Sequence, residues 1–509
     1  MEDVNPADSL RLIKEAVAAG MAGNDDLQKT FVQSNSQLTG LTAFSLEAPA
    51  KTYVPIVTPF RNKLPRVTGG VGIRANWRAV VGYNSSGARA VVSEGNRGQI
   101  QSVAVKEYFA DFRTIGIDSY VTEEARLAAQ GFDDVLARAV QANLGALMIQ
   151  EERFLLGGHG TYALPQPAAP VLVAKTTGGT LPTTTTYHVR VCALTLDGYM
   201  TGSATMETQG LITRQTANGV TDTFGGGFSR ASNAASAATT SATASIEMSV
   251  TPVPGAIGYA WYVGSTNAGD NMYLQAITPI ASWVLTAPPV TSPAARQLGL
   301  DLVSNDRSAN QLVFDGFIAQ VAASGSGALW RNMANNASNP AKGTPLTSDG
   351  AGGIVEIDEV LEWYWNNHRL SPTCIWASGN VVNSFRKLGL LGTSSSTQRF
   401  TFNTDQRNIL MSGKVRGYTN PFGMSGAGEE VPIRQHPNLP PGMIFFETDS
   451  LPYSMPGVTD VARVLCRRDY YQLNYPQTRR TFEYGVYADE LLQVYFPPAN
   501  AVLANIGVA

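Results

Sequence analysis

Hydrophobic and polar positions along the chain follow two different periods, and the changes between them mark out its elements. Residues 61–118 follow the strand period. Arg74-Ala-Asn-Trp77-Arg-Ala-Val-Val-Gly82 alternates and runs into a turn cluster at Tyr83-Asn-Ser-Ser-Gly87. Polar, extended sequence follows past Glu94 and Gln99, and β character returns at Val103-Ala-Val105 and Tyr108-Phe109. Two strands joined by a long polar excursion predict a projecting hairpin with little of its own chain to pack on. The helical period then takes over. Thr122 is placed to cap a first turn containing Glu123 and Glu124, and Gly131 interrupts. Asp133 and Asp134 restart the signature, and Leu136, Val140, Leu144, Leu147, Met148 and Leu155 recur at three-to-four spacing up to Gly157-Gly158. This predicts one long helix of about five or six turns.

Beyond residue 165 the period returns to two. Thr183 to Leu194 alternates, Asp197-Gly198 reads as a turn, and Gly255 to Gly264 is a glycine-bounded strand followed by Met272 to Ile277. Short strands with Gly and Pro punctuation predict an antiparallel sandwich, similar to Ig-like or fibronectin-III-like domains. The pattern then becomes mixed. Ile354, Ile357, Val360, Leu361, Tyr364 and Trp365 predict an amphipathic helix, Thr373 to Ala377 a short buried strand, and Asn380 to Leu388 another helix. The tail reads as β at Ala462–Cys466, Arg480–Val486 and Leu491–Phe496. At the other end, Leu10, Ile13, Val17 and Met21 share helical spacing, as either a frayed terminus or an arm that docks on a neighbour.

Composition changes the picture where it is uneven. The 509 residues are 44% apolar, enough for two to four domains with real cores. Only 15% are charged, against about 25% in an average soluble protein. Without a membrane-length apolar run, so little charge suggests surfaces covered by other protein. The formal charge of −3 weighs against a dedicated nucleic-acid binder, although not against a container around nucleic acid. Residues 1–30 hold six acids and three bases, which accounts for the whole surplus, so protein contacts suit this arm better than DNA. Residues 165–300 hold only five bases and five acids between proline clusters at Pro165, Pro167, Pro170 and at Pro288, Pro289, Pro293, as an inserted domain would. The N-terminus has no secretory signature, and Cys192, Cys374 and Cys466 lie far apart, as ordinary thiols of a chain made in a reducing compartment.

No catalytic constellation emerges, so no enzymatic role, metal or cofactor is expected. His159, His188, His368 and His436 have no ligand spacing. Gly423-Met-Ser425-Gly-Ala427 lacks the last glycine of a nucleophile elbow, and Gly70-Val-Gly72-Ile-Arg-Ala75 leads into a strand instead of a helix. The adjacent pairs Asp133-Asp134 and Glu151-Glu152 point in different directions on a helix and read as solvated or interface charges. Arg467-Arg468 and Arg479-Arg480, set among Tyr470, Tyr471, Tyr475 and Tyr484, fit subunit contacts better than a single-strand clamp, since Asp469 and Glu483 lie beside them. The candidate intersubunit contacts are therefore Arg74, Arg78, Arg89, Glu94, Arg97, Arg467, Arg468, Arg479 and Arg480.

The order of parts resembles the tailed-bacteriophage major capsid proteins with the HK97-like fold. Thr58-Pro-Phe-Arg61-Asn-Lys-Leu-Pro-Arg66 resembles the family's lead-in to its extended loop, and Glu151-Glu-Arg-Phe154-Leu-Leu-Gly157-Gly158 the end of its spine helix. Phe314-Asp-Gly-Phe317-Ile318 and Leu370-Ser-Pro372-Thr-Cys-Ile-Trp376 resemble its axial domain. The resemblance covers most of residues 50–164 and 301–509 and implies an α+β fold. Its parts would be an N-terminal arm (1–60), an extended β-loop (61–118), the spine helix of a peripheral domain (119–164), an inserted all-β sandwich (165–300), a mainly axial α/β domain (301–450) and return strands of both domains (451–509). It further implies self-assembly into hexamers and pentamers of an icosahedral phage head around double-stranded DNA. The head would be built in the host bacterial cytoplasm, with portal, probable separate scaffolding and possible cement proteins, no membrane, and the insertion on the outer surface. Some relatives cross-link through a lysine of the extended loop, yet residues 64–105 contain Arg66, Arg74, Arg78, Arg89 and Arg97 and no lysine, so non-covalent contacts are expected. An encapsulin-like compartment shell is a near alternative, and a surface or tail adhesin that binds glycan through the sandwich is a more distant one.

Overall fold

The computed structural model describes Lys14 and residues 54–83, 91–98, 100–130, 133–350, 353–390, 415–423, 429–453 and 457–507. The amphipathic segment Leu10–Met21, the break at Gly131 and the candidate contact Arg89 lie outside the described residues, apart from Lys14. Both helix starts are capped as their residue types dictate. Thr122 accepts a hydrogen bond from the amide of Ala125 at the head of Glu123–Ala128, and Asp134 accepts from that of Ala137 at the head of Val135–Gly157. The second helix has 23 residues, about 34 Å at 1.5 Å per residue. Its Gly157-Gly158 end serves close approach and not a left-handed turn, since Gly158 has φ −62°. A Cβ on Gly158 would lie 2.4 Å from the Phe314 carbonyl oxygen, and one on Gly157 would lie 2.6 Å from Leu196.

This spine helix joins two cores. Its first half lies on a four-stranded sheet ordered Arg66–Thr68, Ala462–Asn474, Thr481–Val494, Arg113–Thr122. There Leu147 packs with Ile115, Val486 and Ala488, flanked by Val140 and Leu144. Its last turns sink Leu155 and Leu156 into the main cluster with Phe60, Phe317, Ile318 and the central sheet. That sheet has six strands in the order Leu329–Asn332, Ala501–Ala504, Ile444–Glu447, Cys374–Ala377, Glu429–Gln435, Gly417–Asn420. Ile357, Val360, Leu361 and Tyr364 of the helix Val355–His368, with Val381 and Phe385 of Gly379–Leu390, bury their apolar sides in the same cluster.

Three readings of the sequence change on contact with the structure. Only Arg74–Tyr83 and Val103–Asp111 form the outlying hairpin; Phe112 is buried, and Arg113–Thr122 is a strand of the body sheet. The two tail strands expected at 480–486 and 491–496 are one, Thr481–Val494. Asp197-Gly198 is no turn: it opens the helix Leu196–Thr205, because Thr195 accepts from the Gly198 amide as an N-cap.

Residues 171–285 build a three-stranded sheet (Ser282–Leu285, Ser245–Ser249, Val171–Lys175) and a four-stranded one (Met272–Thr278, Gly258–Gly264, Thr186–Leu194, Ala235–Ala238). Val189, Val191, Ile246, Met248 and Trp261 fill one cluster between the two sheets. The other face of the four-stranded sheet carries Cys192, Tyr262 and Leu274 and is covered by Phe228 and Leu302. Every residue of Gly258–Gly264 is therefore buried, which is why that strand is apolar at nearly every position instead of alternating. The chain leaves and returns at one place: the Asn310 amide donates to the His159 carbonyl (2.8 Å) and the Gly316 amide to that of Gly158 (2.9 Å). Asp315 also binds the amides of Gly160 (2.8 Å) and Thr161 (2.9 Å).

A second tie holds this block to the central sheet. Asn505, almost fully buried and at φ +61°, accepts from the Ala281 amide (2.7 Å) and donates to the Met333 carbonyl (2.7 Å) and to Asn335 Oδ1 (3.0 Å). Alanine at 505 would strand buried backbone groups and place a Cβ in a left-handed conformation. Asn505→Ala is expected to cost about 2–4 kcal/mol in denaturant unfolding. Asn505→Gly should recover about 1 kcal/mol of that by relieving the backbone alone.

Candidate functional site: a projecting hairpin on a buried ionic junction

The lead-in Thr58–Arg66 is built to be pinned. Pro59 starts a one-turn helix, Pro59–Lys63, whose N-cap residue Thr58 makes no side-chain cap. The cap comes from the spine instead. Glu152 takes the Phe60 amide on Oε1 (2.9 Å) and the Arg61 amide on Oε2 (2.8 Å), satisfying two donors that the short helix leaves open. His436 completes the site. Its Nδ1 accepts from the Asn438 amide (3.1 Å), so the ring proton sits on Nε2, 2.6 Å from Glu152 Oε1.

Glu151, one residue earlier, points elsewhere. Its carboxylate bonds Arg66 Nη1 and the Tyr470 hydroxyl and lies 3.3 Å from Arg61 Nε. Arg66 reaches on to Asp469 and Glu490 through Nη2, at 2.7 Å to each. Both Arg61 and Arg66 stack over the Tyr470 ring, at 5.1 and 4.7 Å. Glu151, Glu152 and Glu490 are fully buried, so the sequence reading of Glu151-Glu152 as solvated or interface charges is corrected: both pair inside the chain. The two carboxylates do point in different directions, but each direction leads to a buried partner. A carboxylate pair among Leu147, Phe154, Leu155 and Leu156 was the available signal. Its partners, 85 to 319 residues away in sequence, were not visible. Burial, reinforced by the Glu151 charge and opposed by Arg66, pushes the Glu490 carboxyl up to about 8.

The hairpin rises from this junction. Arg74–Tyr83 pairs with Val103–Asp111 in antiparallel register, from Arg74 opposite Asp111 to Tyr83 opposite Val103. Neither strand has a fully buried side chain. At the base, Trp77 donates to the Val494 carbonyl (3.2 Å) and stacks on Tyr108, and Lys106 bonds the Gly325 carbonyl. Farther out, Val80, Tyr83, Val103 and Val105 are at least half exposed, as are Val91 and Ile100 between the strands.

The sequence-predicted contact residues divide. Arg74 binds Asp111 at 2.6 Å and covers Phe109. Arg467 donates to the Gly72 carbonyl (3.0 Å), and Arg468 lies 3.8 Å over Tyr471. Bulges in the strand pairing at Cys466/Arg468 and Arg468/Tyr471 re-aim this stretch. Arg480 meets Glu124 at 3.2 Å on the surface. Arg78, Glu94, Arg97 and Arg479 are exposed and form no ion pair among the described residues. Cys192, Cys374 and Cys466 are free and buried, and burial pushes the Cys374 thiol up to about 12. Among the described residues no group of three or more His, Cys, Asp or Glu could hold a metal ion.

Two outcomes test the junction. Arg66→Met leaves Glu151 and Glu490 buried without their shared cation and should cost about 3–5 kcal/mol in chemical unfolding. The folded chain holds the Glu490 proton up to about pH 8, whereas the unfolded chain releases it near the ordinary value of 4.5. Stability from this group is therefore full below the unfolded value and is lost as pH rises toward 8. Glu490→Gln should flatten that loss in a series of Tm measurements from pH 5 to 8.

Neither a protein-family model nor a curated protein matches the sequence. Solved structures similar to the chain include the capsid of cyanophage A-1(L), at 10% identity over 93% of this chain and 99% of that one, with TM-score 0.44. The capsid of cyanophage P-SCSP1u is similar at 8% identity over 93% and 96%, with TM-score 0.41. The SrpI encapsulin of Synechococcus elongatus PCC 7942 is similar at 10% identity over 92% and 94%, with TM-score 0.39.

Proposed function

We propose that this chain is a structural major capsid protein of the HK97-like type, which closes into the icosahedral shell of a tailed phage. The observation that carries the proposal is the hairpin 74–111. A two-stranded ribbon is marginal in water on its own, and this one exposes Val80, Tyr83, Val103 and Val105 while its foot is fixed by buried charge. An apolar arm held rigidly at its base and uncovered along its length is suited to lie across another copy. The mixed architecture supports the same reading: a long helix connects a sheet of return strands to a compact α/β core. Hexamers and pentamers would be the capsomers and double-stranded DNA the enclosed content. Portal, scaffolding and cement proteins would be the other partners. Residues 165–300 would decorate the outside, since they join the rest where the chain leaves and returns and along the Asn505 tie.

Negative-stain microscopy of the chain, expressed with and without its genomic neighbours, tests this. Closed shells or capsomers are expected, and a stable monomer that binds sugars would refute the reading. Replacing residues 75–110 by a short Gly-Ser turn should abolish assembly and leave soluble protein whose Tm stays within a few degrees of the parent. Shells that contain host enzymes and no DNA would favour the compartment alternative.

A further inference from the structure

His159 lies at the neck where the chain leaves the body for the outlying block. Its carbonyl takes the Asn310 amide (2.8 Å), one of the bonds between the departing and returning segments. Its ring is buried and sits 6.0 Å from that of Tyr162. Nδ1 is 2.9 Å from the Gly157 carbonyl oxygen, which can only accept, so the ring proton is on Nδ1. Nε2 has no hydrogen-bond partner and is closed to solvent. The neutral ring bears this, because a bare Nε2 has no proton to place. An imidazolium does not, because its second N–H would be a buried charge without an acceptor.

We propose that this neck is an acid-sensitive joint: protonation of His159 parts the departing and returning segments, and the block 171–285 shifts on the body while each keeps its own core. Arg153 of the spine and Asp197 of the helix Leu196–Thr205 line the same small space as the ring. Asp306 and Asp315 of the returning segment act on it through their charge. Burial lowers the pKa of His159 below its ordinary 6.5, against the weaker pull of the Gly157 carbonyl, Asp315 and Asp306. The stability from the neutral ring is therefore full above pH 6.5 and is lost as pH falls through the lower folded value. The carboxylates nearest to hand for a new N–H are the ones that already hold the neck. Asp315 takes the Gly160 and Thr161 amides, and Asp306 takes the Ser308 hydroxyl (2.8 Å) and the Arg230 amide (3.2 Å). A charged ring that turns toward either one competes with these bonds. The Asn505 tie is made of amides and carbonyls alone, so acid leaves it in place and the block stays attached.

Hydrogen–deuterium exchange of the full chain between pH 7.5 and pH 5, corrected for the pH dependence of intrinsic exchange, tests the joint. Amides of residues 158–162 and 308–316 should exchange about tenfold faster at pH 5, with the change setting in below pH 6.5. Those of the block's strand Gly258–Gly264 and of the spine at 140–150 should keep their protection. His159→Asn retains a donor at the δ position for the Gly157 carbonyl and cannot be charged, so it should remove the acid response. His159→Gln serves the same purpose if the asparagine variant does not fold. Equal protection of the neck across the series, or a change that sets in above pH 6.5, overturns the proposal in the parent alone. An acid response of undiminished size in either folded variant overturns it as well.

Discussion

A buried guanidinium shared among carboxylates sets the geometry of this molecule. Arg66 stands where the lead-in chain turns into the first strand of the body sheet, and it contacts Glu151 of the spine helix together with Asp469 and Glu490 of the two long return strands. Removing charges from water is costly, and the arrangement is tolerable only because nearly every oxygen and N–H finds a partner. That requirement makes the junction directional. An apolar contact would hold the same four segments together with many small shifts allowed, whereas the forked donors of Arg66 accept few arrangements. The hairpin inherits its direction from this point.

Glu152 supplies the complementary constraint one residue along. By binding the Phe60 and Arg61 amides it caps a helix too short to be stable alone, and through His436 it connects that helix to the loop after the strand Glu429–Gln435. Adjacent positions on one helix thus anchor two different parts of the chain. The spine transmits this fixing over its whole length, from the small cluster around Leu147 to the main core around Leu155 and Leu156.

The outlying block obeys the same economy of contact. Its two sheets close their own core around Trp261, and its connection to the rest passes through a few polar ties at Asp315, Asn310 and Asn505, with Leu196 and Ile257 entering the main cluster. Sparse charge in this block follows in part from its construction, because both faces of the four-stranded sheet are covered, whereas the three-stranded sheet turns Val171 and Val173 to water. Arg78 of the hairpin and Arg97 of the excursion form the opposite case, exposed and without an ion pair among the described residues.

Local rules made much of this legible from sequence. Thr122 predicted the first helix start, three-to-four spacing predicted the spine, and alternation from Arg74 to Gly82 predicted a hairpin strand, since each depends on residues within one or two turns of each other. Asp133-Asp134 marked the spine's start as a first turn, although Asp134 is its N-cap. The Thr195 cap was missed because Asp-Gly is also a common turn pair, and capping outweighed it. The ionic junction could not be read in advance. Arg66 and Glu490 are 424 residues apart, and whether Glu151 is solvated or buried depends on which strands pass over it. Sequence alone determined the spine helix, its start and the alternating hairpin strand, where the deciding residues are near neighbours in the chain. Tertiary packing alone decided which charges leave water, because a charge's partners come from the whole fold and not from its neighbours in the chain.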